Sequence, residues 1–303
     1  MTRPSVTAVV PAHARPEELR RVIHAIREQA YDGPLDVVVV FDRAAPDLSL
    51  VQDGDRPVRV LANSRTPGLA GARNTGVLAA RGELVAFCDD DDYWLPHKLD
   101  RQVTLFDLDP AAIMVSSGIF VDHQGRSTPR TTSAPYATHD MLRRSRLSML
   151  HSSTFVFRRR SLIDAIGLVD EGLPASQSED WDLLLRSSAL HPVLVVVEPL
   201  VTVTWGQKSF FRHDWPTKIA SNRYLLEKHD DVREDRVGAA RLLGKIAFAQ
   251  ACSGQRRAAW RSAARTIVTD PRQWRGPLAA VAAIHPRVGR TVLDTLNKRG
   301  RGV

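Results

Sequence analysis

The chain has 303 residues, of which 43% are hydrophobic and 25% charged, a composition that excludes disordered and fibrous proteins. Two cysteines, Cys88 and Cys252, are too few for a disulfide framework, and Cys and His show no structural-zinc spacing, so we expect a reducing compartment. No stretch approaches the roughly 18 apolar residues of a membrane span, and the N-terminus lacks a signal-peptide layout. These features predict a cytoplasmic globular protein.

The net charge of +8 is unevenly distributed. Residues 231–303 contain 15 Lys and Arg against 5 Asp and Glu, whereas residues 1–230 contain 27 against 29. The tail therefore carries +10 and the rest of the chain −2. We expect no nucleic acid partner, because the larger part is slightly acidic and the tail has no recognised DNA- or RNA-binding motif.

Short apolar segments alternate with amphipathic ones in the first 110 residues, a pattern typical of a mostly parallel sheet covered by helices. Helices are predicted from about Pro16 to residue 30 and from Pro67-Gly68 to about Ala80. The predicted strands are residues 6–10, 35–41, 58–62 and 84–88.

The pattern is less regular beyond residue 95. A strand pair is predicted within 193–204, interrupted at Glu198-Pro199. After Trp215 only helical runs remain, which places a boundary between an α/β unit and a helical tail near residues 210–235. The other predicted elements are helices at 95–108 and 178–190 and strands at 113–121 and 153–157, and the predicted breaks in the tail are Ser253-Gly254, Asp270-Pro271 and His285-Pro286.

Four consecutive aspartates, residues 89–92, directly follow the predicted strand at 84–88. Adjacent carboxylates repel one another unless a positive group lies among them. Mg²⁺ or Mn²⁺ is the obvious candidate, because these ions bind one or two protein carboxylates together with phosphate oxygens, and open α/β sheets bind ligands at the carboxyl ends of their strands. The alternative is a solvated acidic loop before the helix near Pro96. The apolar strand before the run and Tyr93-Trp94 after it favour the metal site.

A second candidate site lies at residues 63–74, where small residues and two arginines surround a predicted helix N-terminus. The exposed N–H groups and positive dipole of such an end suit anions, and Arg73 could add a charge-assisted contact to a phosphate. The spacing matches neither a dinucleotide-binding loop nor a P-loop. Close helix packing alone is therefore an alternative explanation of Gly68 and Gly71.

Five segments of the chain form an ordered series. They are Val9-Val10-Pro11-Ala12-His13-Ala14-Arg15-Pro16; Val38-Val39-Val40-Phe41-Asp42; Gly68-Leu69-Ala70-Gly71-Ala72-Arg73-Asn74-Thr75-Gly76; residues 82–94 with Pro96 and Lys98-Leu99; and Ser178-Glu179-Asp180-Trp181-Asp182-Leu183. In this order, over residues 5 to about 210, they resemble the inverting family 2 glycosyltransferases, which transfer a sugar from a nucleotide-sugar.

The resemblance implies the fold class: an α/β fold of the GT-A type, with a mostly parallel central sheet flanked by helices, plus a C-terminal α-helical extension. It places the glycosyltransferase domain at residues 1–215, with a nucleotide-sugar half at about 1–110 and an acceptor half at about 111–215. A basic α-helical tail follows at 216–303.

The resemblance also implies roles for single residues. Asp89 and Asp91 match the family's Asp-x-Asp motif, with Asp91 as the first candidate metal ligand and Asp89 as a ligand of the metal or the ribose. Asp92 would be an auxiliary carboxylate. The residues expected to contact the nucleotide-sugar are Pro11, Ala12, His13, Arg15, Asp42, Arg73, Asp89 and Asp90.

Asp180 matches the family's catalytic base. Inverting transfer needs a carboxylate that takes the proton of the acceptor hydroxyl as this hydroxyl attacks the anomeric carbon. An ordinary helix start is the alternative, because Ser178 can cap the helix and acidic residues favour its first turn. The upstream aspartates favour the base, and Glu179 and Asp182 are close competitors for the role.

The implied function is transfer of one sugar from a nucleotide-diphosphate sugar to an acceptor hydroxyl, assisted by Mn²⁺ or Mg²⁺, in cell-envelope, polysaccharide or glycolipid synthesis. The Gln-x-x-Arg-Trp motif of processive relatives is not found, which favours transfer of a single sugar. The chain departs from the family pattern at Ala14 and at Arg43-Ala44. These departures motivate an alternative, a non-catalytic nucleotide-sugar-binding scaffold that retains the fold.

Other residues carry weaker expectations. His151 and His213 are candidates for further metal or phosphate ligands, although a lone histidine is more often structural. Arg158-Arg159-Arg160 is expected to begin a solvated helix, and Cys88 to be a buried small residue.

The basic tail has three interpretations: it lies on an anionic membrane, it binds a polyanion, or it is the solvated face of packed helices. The last is the most common behaviour of such sequences. Because family members often use lipid-linked or envelope acceptors, the charge of +10 motivates the hypothesis of peripheral contact with the inner face of a membrane.

Overall fold

The computed structural model describes residues 3–123, 125–204 and 214–284, which divide into two compact units. The α/β unit contains most described residues up to Thr204. The helical unit contains the helices after Asp214 and two short segments, Arg143–Ser145 and Leu173–Ser178. The sequence did not indicate that these two segments belong to the helical unit. The boundary expected between residues 215 and 216 stays a prediction.

The strands of the α/β unit form a single sheet. The order along it is β3-β2-β1-β4-β9-β6-β10-β5, with β7 beside β6 and β8 beside β10. Strands β1 to β4, β6 and β10 share one direction, and the others run antiparallel to their neighbours. The mostly parallel sheet that the sequence predicts is confirmed. The strands are β1 (Val6–Ala12), β2 (Leu35–Phe41), β3 (Val58–Ala62), β4 (Leu84–Phe87), β5 (Tyr93–Trp94), β6 (Met114–His123), β7 (Arg126–Arg130), β8 (Tyr136–Ala137), β9 (Val156–Arg158) and β10 (Val193–Thr204).

The helices follow the chain in two groups. The first group is α1 (Pro16–Arg27), α2 (Leu69–Ala79), α3 (Lys98–Leu108), α4 (His139–Arg144), α5 (Arg159–Ser161) and α6 (Glu179–Leu190). The second group is α7 (Trp215–Lys228), α8 (Asp230–Glu234), α9 (Arg236–Cys252), α10 (Arg256–Thr269) and α11 (Arg275–Ile284).

The sheet is buried on both faces because its central strands are apolar at nearly every position. All seven residues of β1 are buried. Helices α1 and α3 cover one face, where Val22 and Leu99 belong to the main core. Helix α2 covers the other face, where Ala72 packs with Val38 and Val40. This layered arrangement leaves the carboxyl ends of the parallel strands free to form a site.

Two predicted elements are wrong. The strand pair expected around Glu198-Pro199 is one strand, β10, because an irregularity in register between Val196 and Val201 absorbs the proline. The strand expected at 153–157 begins only at Val156, and a 3₁₀ turn, Ser152–Thr154, precedes it. The backbone turns at this point because the side chain of His151 accepts a hydrogen bond from the backbone N–H of Ser153.

The helical unit has a core of small residues on α9, α10 and α11. Ala247 and Phe248 of α9 are buried with Ala259, Ala263 and Ala282. The predicted breaks at Ser253-Gly254 and Asp270-Pro271 coincide with the ends of α9 and α10.

Two sequence expectations fall outside the described residues: His213 and the break at His285-Pro286. Within the described ranges, none of the helices has the length and apolarity that crossing a bilayer requires.

Candidate active site

The carboxyl ends of β1, β2 and β4 meet at one edge of the sheet and bring most of the predicted site residues together. Pro11 and Ala12 end β1. Asp42 follows β2, and its backbone N–H donates to the carbonyl of Ala12 at 2.9 Å. The exposed ring of His13 lies 2.9 Å from the carbonyl oxygen of Asp42. The first two loops therefore lie together, and the first also contacts the acidic residues after β4, where the backbone N–H of His13 donates to Asp90 at 3.2 Å.

The Asp42 carboxylate is bound by the loop that leads into α2. Its Oδ1 accepts from the side chain of Asn63 at 2.7 Å and from the backbone of Gly68 at 2.9 Å. Gly68 precedes α2 with a φ of 133°, a conformation that favours glycine. Asp42 thus fixes the start of α2. Its expected contact with a nucleotide base stays a prediction.

The next two aspartates, Asp90 and Asp91, share one arginine. The Arg15 guanidinium lies 2.9 Å from Asp90 and 2.5 Å from Asp91. Burial raises the pKa of Asp90. Burial, followed by the charge of Asp92, raises the pKa of Asp91 to about 7. Arg15 therefore supplies the positive charge that this half of the acidic run requires.

Asp89 and Asp92 form the other half and are held by two serines. The Ser153 hydroxyl donates to Asp92 at 2.5 Å and accepts from the backbone of Asp89 at 3.0 Å. The Ser152 hydroxyl donates to Asp89 Oδ2 at 3.2 Å. Both serines are buried. The 3₁₀ turn before β9 thus sets the orientation of the two carboxylates.

His151 completes a cluster that could hold a metal ion. Its Nδ1 lies 3.2 Å from Asp92, and single ligand atoms of Asp89, Asp92 and His151 lie within 4.8 Å of one another. Burial opposes the imidazolium, but the charge and hydrogen bond of Asp92, together with the charges of Asp89 and Asp180, outweigh burial and raise the pKa of His151 to about 9. Two carboxylates fit a hard cation such as Mn²⁺ or Mg²⁺. The expected roles of Asp89 and Asp91 at the metal stay predictions.

Arg73 connects the acidic run to the first turn of α6. It is completely buried, lies 2.5 Å from Asp89 and pairs with Glu179. Its guanidinium also lies 5.4 Å from the ring centroid of Phe87. Burial raises the pKa of Glu179, whereas at Asp89 burial is outweighed by Arg73 together with His151 and Ser152, which lower the pKa. Arg73 faces carboxylates here, and its expected contact with a phosphate stays a prediction.

The three acidic residues of the first turn of α6 have different partners. Asp180 is 3% exposed and pairs with Arg146. Its other oxygen accepts from the backbone of Trp181 at 2.7 Å. Asp182 is fully buried and pairs with Arg186, four residues along the helix, at 2.8 Å. Arg146 itself extends from the loop between α4 and β9, so that loop covers the predicted base.

Several of these contacts could not be found in the sequence. Ser152, Ser153 and Arg146 carried no motif. Glu171 was also missed: it accepts from Asn74 at 2.6 Å and pairs with Arg65. Burial opposes its ionisation, but these hydrogen bonds lower the pKa of Glu171 to about 2. Only the position of the two serines shortly before a short strand could have drawn attention to them.

A sequence profile described as Glycosyl transferase family 2 matches residues 7–167, more than half of the chain. The chain belongs to this family. The matched region contains the acidic run, Arg73 and the two serines. The family identification made from the sequence is confirmed.

Related sequences include polysaccharide biosynthesis proteins. The succinoglycan biosynthesis protein ExoO of Rhizobium meliloti (strain 1021) is 31% identical over 201 residues, which are 62% of this chain and 56% of that protein. The Escherichia coli enzyme WfgD, a UDP-Glc:alpha-D-GlcNAc-diphosphoundecaprenol beta-1,3-glucosyltransferase, is 28% identical over 102 residues, 33% of this chain and 40% of that protein. The chain thus matches about half of the length of these relatives.

Solved structures share the fold. The structure of Staphylococcus aureus TarS 1-349 in complex with UDP has a TM-score of 0.61 at 17% identity and covers 98% of this chain and 92% of its own. The Pyrobaculum calidifontis mannosyltransferase PcManGT, in complex with GDP-Man and Mn²⁺, has a TM-score of 0.55 at 17% identity, with 96% and 87% covered. The predicted GT-A type fold with C-terminal helices is confirmed.

Proposed function

We propose that the protein is an inverting glycosyltransferase that moves one sugar from a nucleotide-diphosphate sugar to an acceptor hydroxyl. The observation that carries this proposal is the buried ion-pair chain from Asp89 through Arg73 to Glu179. It joins the acidic run at the sheet edge to the helix that carries Asp180. A donor diphosphate beside Asp89 and an acceptor hydroxyl beside Asp180 would be neighbours.

The nucleotide would lie over the ends of β1 and β2. Pro11, Ala12 and His13 would line the pocket for the base together with Asp42. Arg15, now paired with the acidic run, has the charge to contact a diphosphate. The UDP and GDP-Man in the two similar structures support a nucleotide-sugar donor. We place this half of the domain at about residues 1–110, the acceptor half at about 111–215 and the basic tail at 216–303.

A divalent ion, Mn²⁺ or Mg²⁺, would be held by Asp89 together with Asp91, as the motif indicates, or together with Asp92 and His151, whose ligand atoms are already close. Such an ion supplies positive charge that stabilises a departing nucleoside diphosphate. The Mn²⁺ in the PcManGT structure supports this part of the proposal.

Asp180 is our candidate for the base, ahead of Glu179 and Asp182, because its arginine partner is the most exposed of the three: the side chain of Arg146 is 34% exposed, against 0% for the partner of Glu179 and 20% for the partner of Asp182. A carboxylate in an ion pair accepts a proton poorly. Arg146 must therefore move away from Asp180 before transfer, and a diphosphate provides an alternative partner for its guanidinium.

The biological role would lie in cell-envelope, polysaccharide or glycolipid synthesis. Succinoglycan is named for ExoO and a diphosphoundecaprenol-linked acceptor for WfgD, which supports a saccharide or lipid-linked acceptor. We place the protein in the cytoplasm, in peripheral contact with the inner face of a membrane.

Two observations favour a second candidate, a non-catalytic scaffold that binds a nucleotide-sugar. Asp42 is bound to the start of α2, and Asp180 is buried in its pair with Arg146. A scaffold predicts that Asp180→Asn leaves the biological function intact. An enzyme predicts that the same substitution abolishes it.

The experiment has two steps. A thermal-shift screen of UDP-, GDP- and dTDP-sugars with Mn²⁺ identifies the donor, which is expected to raise the melting temperature of the protein. Proton NMR of the product formed with that donor then gives the anomeric configuration, and we expect inversion. A product that retains the donor configuration would contradict the proposed mechanism.

A further inference from the structure

Helices α10 and α11 expose large apolar side chains on the outside of the helical unit. Their inner positions are small and buried, among them Ala259 and Ala282. Their outer positions include Trp260, which is 49% exposed, and Ile284, which is 62% exposed. Exposed tryptophan beside exposed aliphatic residues is unusual for a surface that faces only water.

Two contacts show that α10 and α11 lie side by side. The Arg256 guanidinium donates to the carbonyl of Ile284 at 3.0 Å, so the start of α10 lies beside the end of α11. A Cβ at Gly276 would lie 2.9 Å from Ile267, so the end of α10 lies beside the start of α11. The helices are therefore antiparallel neighbours. The α10–α11 apolar surface consists of Trp260, Ile267, Trp274, Val281 and Ile284.

Arginines border this surface. Arg257, Arg261 and Arg265 are exposed and recur every four residues on the outer side of α10, where they follow one another along the helix. Residues 256–284 contain six arginines and a single acidic residue, Asp270. The surface thus combines apolar side chains with a row of positive charge.

We propose that the α10–α11 apolar surface and its arginine row dock on a bilayer that contains anionic phospholipids. Tryptophan is favoured at the level of the lipid headgroups, and arginines gain energy beside anionic lipid. A second copy of the chain is a poorer partner, because pairing this face with itself would oppose two positive rows. This inference rests on the proposed membrane location and gives it a defined surface.

The first test measures binding of the full chain to sedimented vesicles. Vesicles of equal parts phosphatidylglycerol and phosphatidylcholine are compared with vesicles of phosphatidylcholine alone. We expect the protein to prefer the anionic vesicles and to lose binding in 0.5 M NaCl, because salt screens the attraction. Equal binding to both compositions, or no binding to either, would overturn the proposal.

Two variants separate the apolar and charged contributions. The triple variant Trp260→Ser, Val281→Ser, Ile284→Ser is expected to bind on the order of tenfold more weakly, because it loses the inserted apolar area. The triple variant Arg257→Gln, Arg261→Gln, Arg265→Gln is expected to bind about 100-fold more weakly, since each arginine contributes about fivefold.

Matched controls replace exposed leucines elsewhere. Leu108 and Leu190 are 75% and 56% exposed in the α/β unit, and the double variant Leu108→Ser, Leu190→Ser should bind vesicles like the wild type. Equal losses in the control and the apolar variant would overturn the assignment to this surface. So would a dimer, seen by light scattering, that only the apolar variant disrupts.

An assay of sugar transfer to a water-soluble acceptor distinguishes failure of this inference from failure of the proposed function. The α10–α11 variants should retain that transfer while they lose vesicle binding. If the wild type binds vesicles as expected and transfers no sugar, the docking surface stands and the proposed enzyme function fails.

Discussion

Replacing Arg73 with methionine removes the positive charge at the centre of the site. The guanidinium is completely buried between Asp89 and Glu179. Methionine fills similar space without charge, so the variant leaves the buried Glu179 carboxylate and the Asp89 carboxylate, which is 22% exposed, without their common partner. Removing one partner of a buried ion pair typically costs about 3–5 kcal/mol.

This loss is large enough to measure by calorimetry. One kcal/mol shifts the melting temperature by about 2–4 °C for a domain of this size, so Arg73→Met should lower it by about 10 °C. The Asp89 carboxylate keeps the hydrogen bond from Ser152, which favours the lower end of the energy range. A melting temperature of Arg73→Met within 2 °C of the wild-type value would refute the argument.

The dependence on pH tests the cause of the loss. Burial raises the pKa of Glu179 even though Arg73 opposes it. Without Arg73 the folded pKa of Glu179 lies further above that of the unfolded chain, so the variant loses stability as pH rises through it. The difference from wild type should therefore be larger at pH 8 than at pH 5.

Two controls accompany this variant. Arg20→Met removes an exposed pair with Asp47 and should change stability by no more than about 0.5 kcal/mol. Adding Glu179→Gln to Arg73→Met should recover part of the lost stability, because the uncompensated charge of Glu179 is then removed. Equal losses for Arg73→Met at both pH values, or no recovery in the double variant, would show that uncompensated charge is not the cause.

Two further predictions concern buried polar groups beside the site. Ser153→Ala removes the hydroxyl that bonds Asp89 and Asp92 and should weaken Mn²⁺ binding, measured by electron paramagnetic resonance, about tenfold. The control Ser187→Ala removes a buried hydroxyl that has no hydrogen-bond partner and should leave Mn²⁺ binding unchanged. Equal weakening in both variants would contradict the role of Ser153 in positioning the two carboxylates. Burial lowers the pKa of Lys98 to about 7, so keeping the charged lysine in the folded state costs stability. This cost is largest below pH 7 and becomes smaller as the pH rises towards 10. Lys98→Met should therefore raise the melting temperature more at pH 6 than at pH 9, and a gain that grows with pH would contradict this sign.

The elements around the site could be predicted from local patterns. The apolar run that ends at Cys88, followed by four aspartates, predicted a buried strand with a polar site at its carboxyl end, as β4 shows. Pro16 with its acidic first turn predicted the start of α1. These signals depend on residues close together in the chain, so they can be recognised from the sequence alone.

The partners of the site residues could not be predicted in this way. Arg73 and Glu179 lie 106 residues apart and Arg146 and Asp180 lie 34 apart, so only the folded chain brings them together. The error at Glu198-Pro199 has a similar origin. A register irregularity in the pairing of β10 with β6 accommodates the proline, and no local pattern reveals it.

The most direct test of the central claim is sugar transfer by the wild type, Asp91→Ala and Asp180→Ala, followed as release of nucleoside diphosphate in the presence and absence of EDTA. We expect transfer by the wild type with Mn²⁺ or Mg²⁺, loss of transfer in EDTA, and a decrease of at least about 100-fold in each variant, consistent with loss of a general base or of metal assistance. Full activity of the wild type in EDTA, or of either variant with the metal present, would contradict the account.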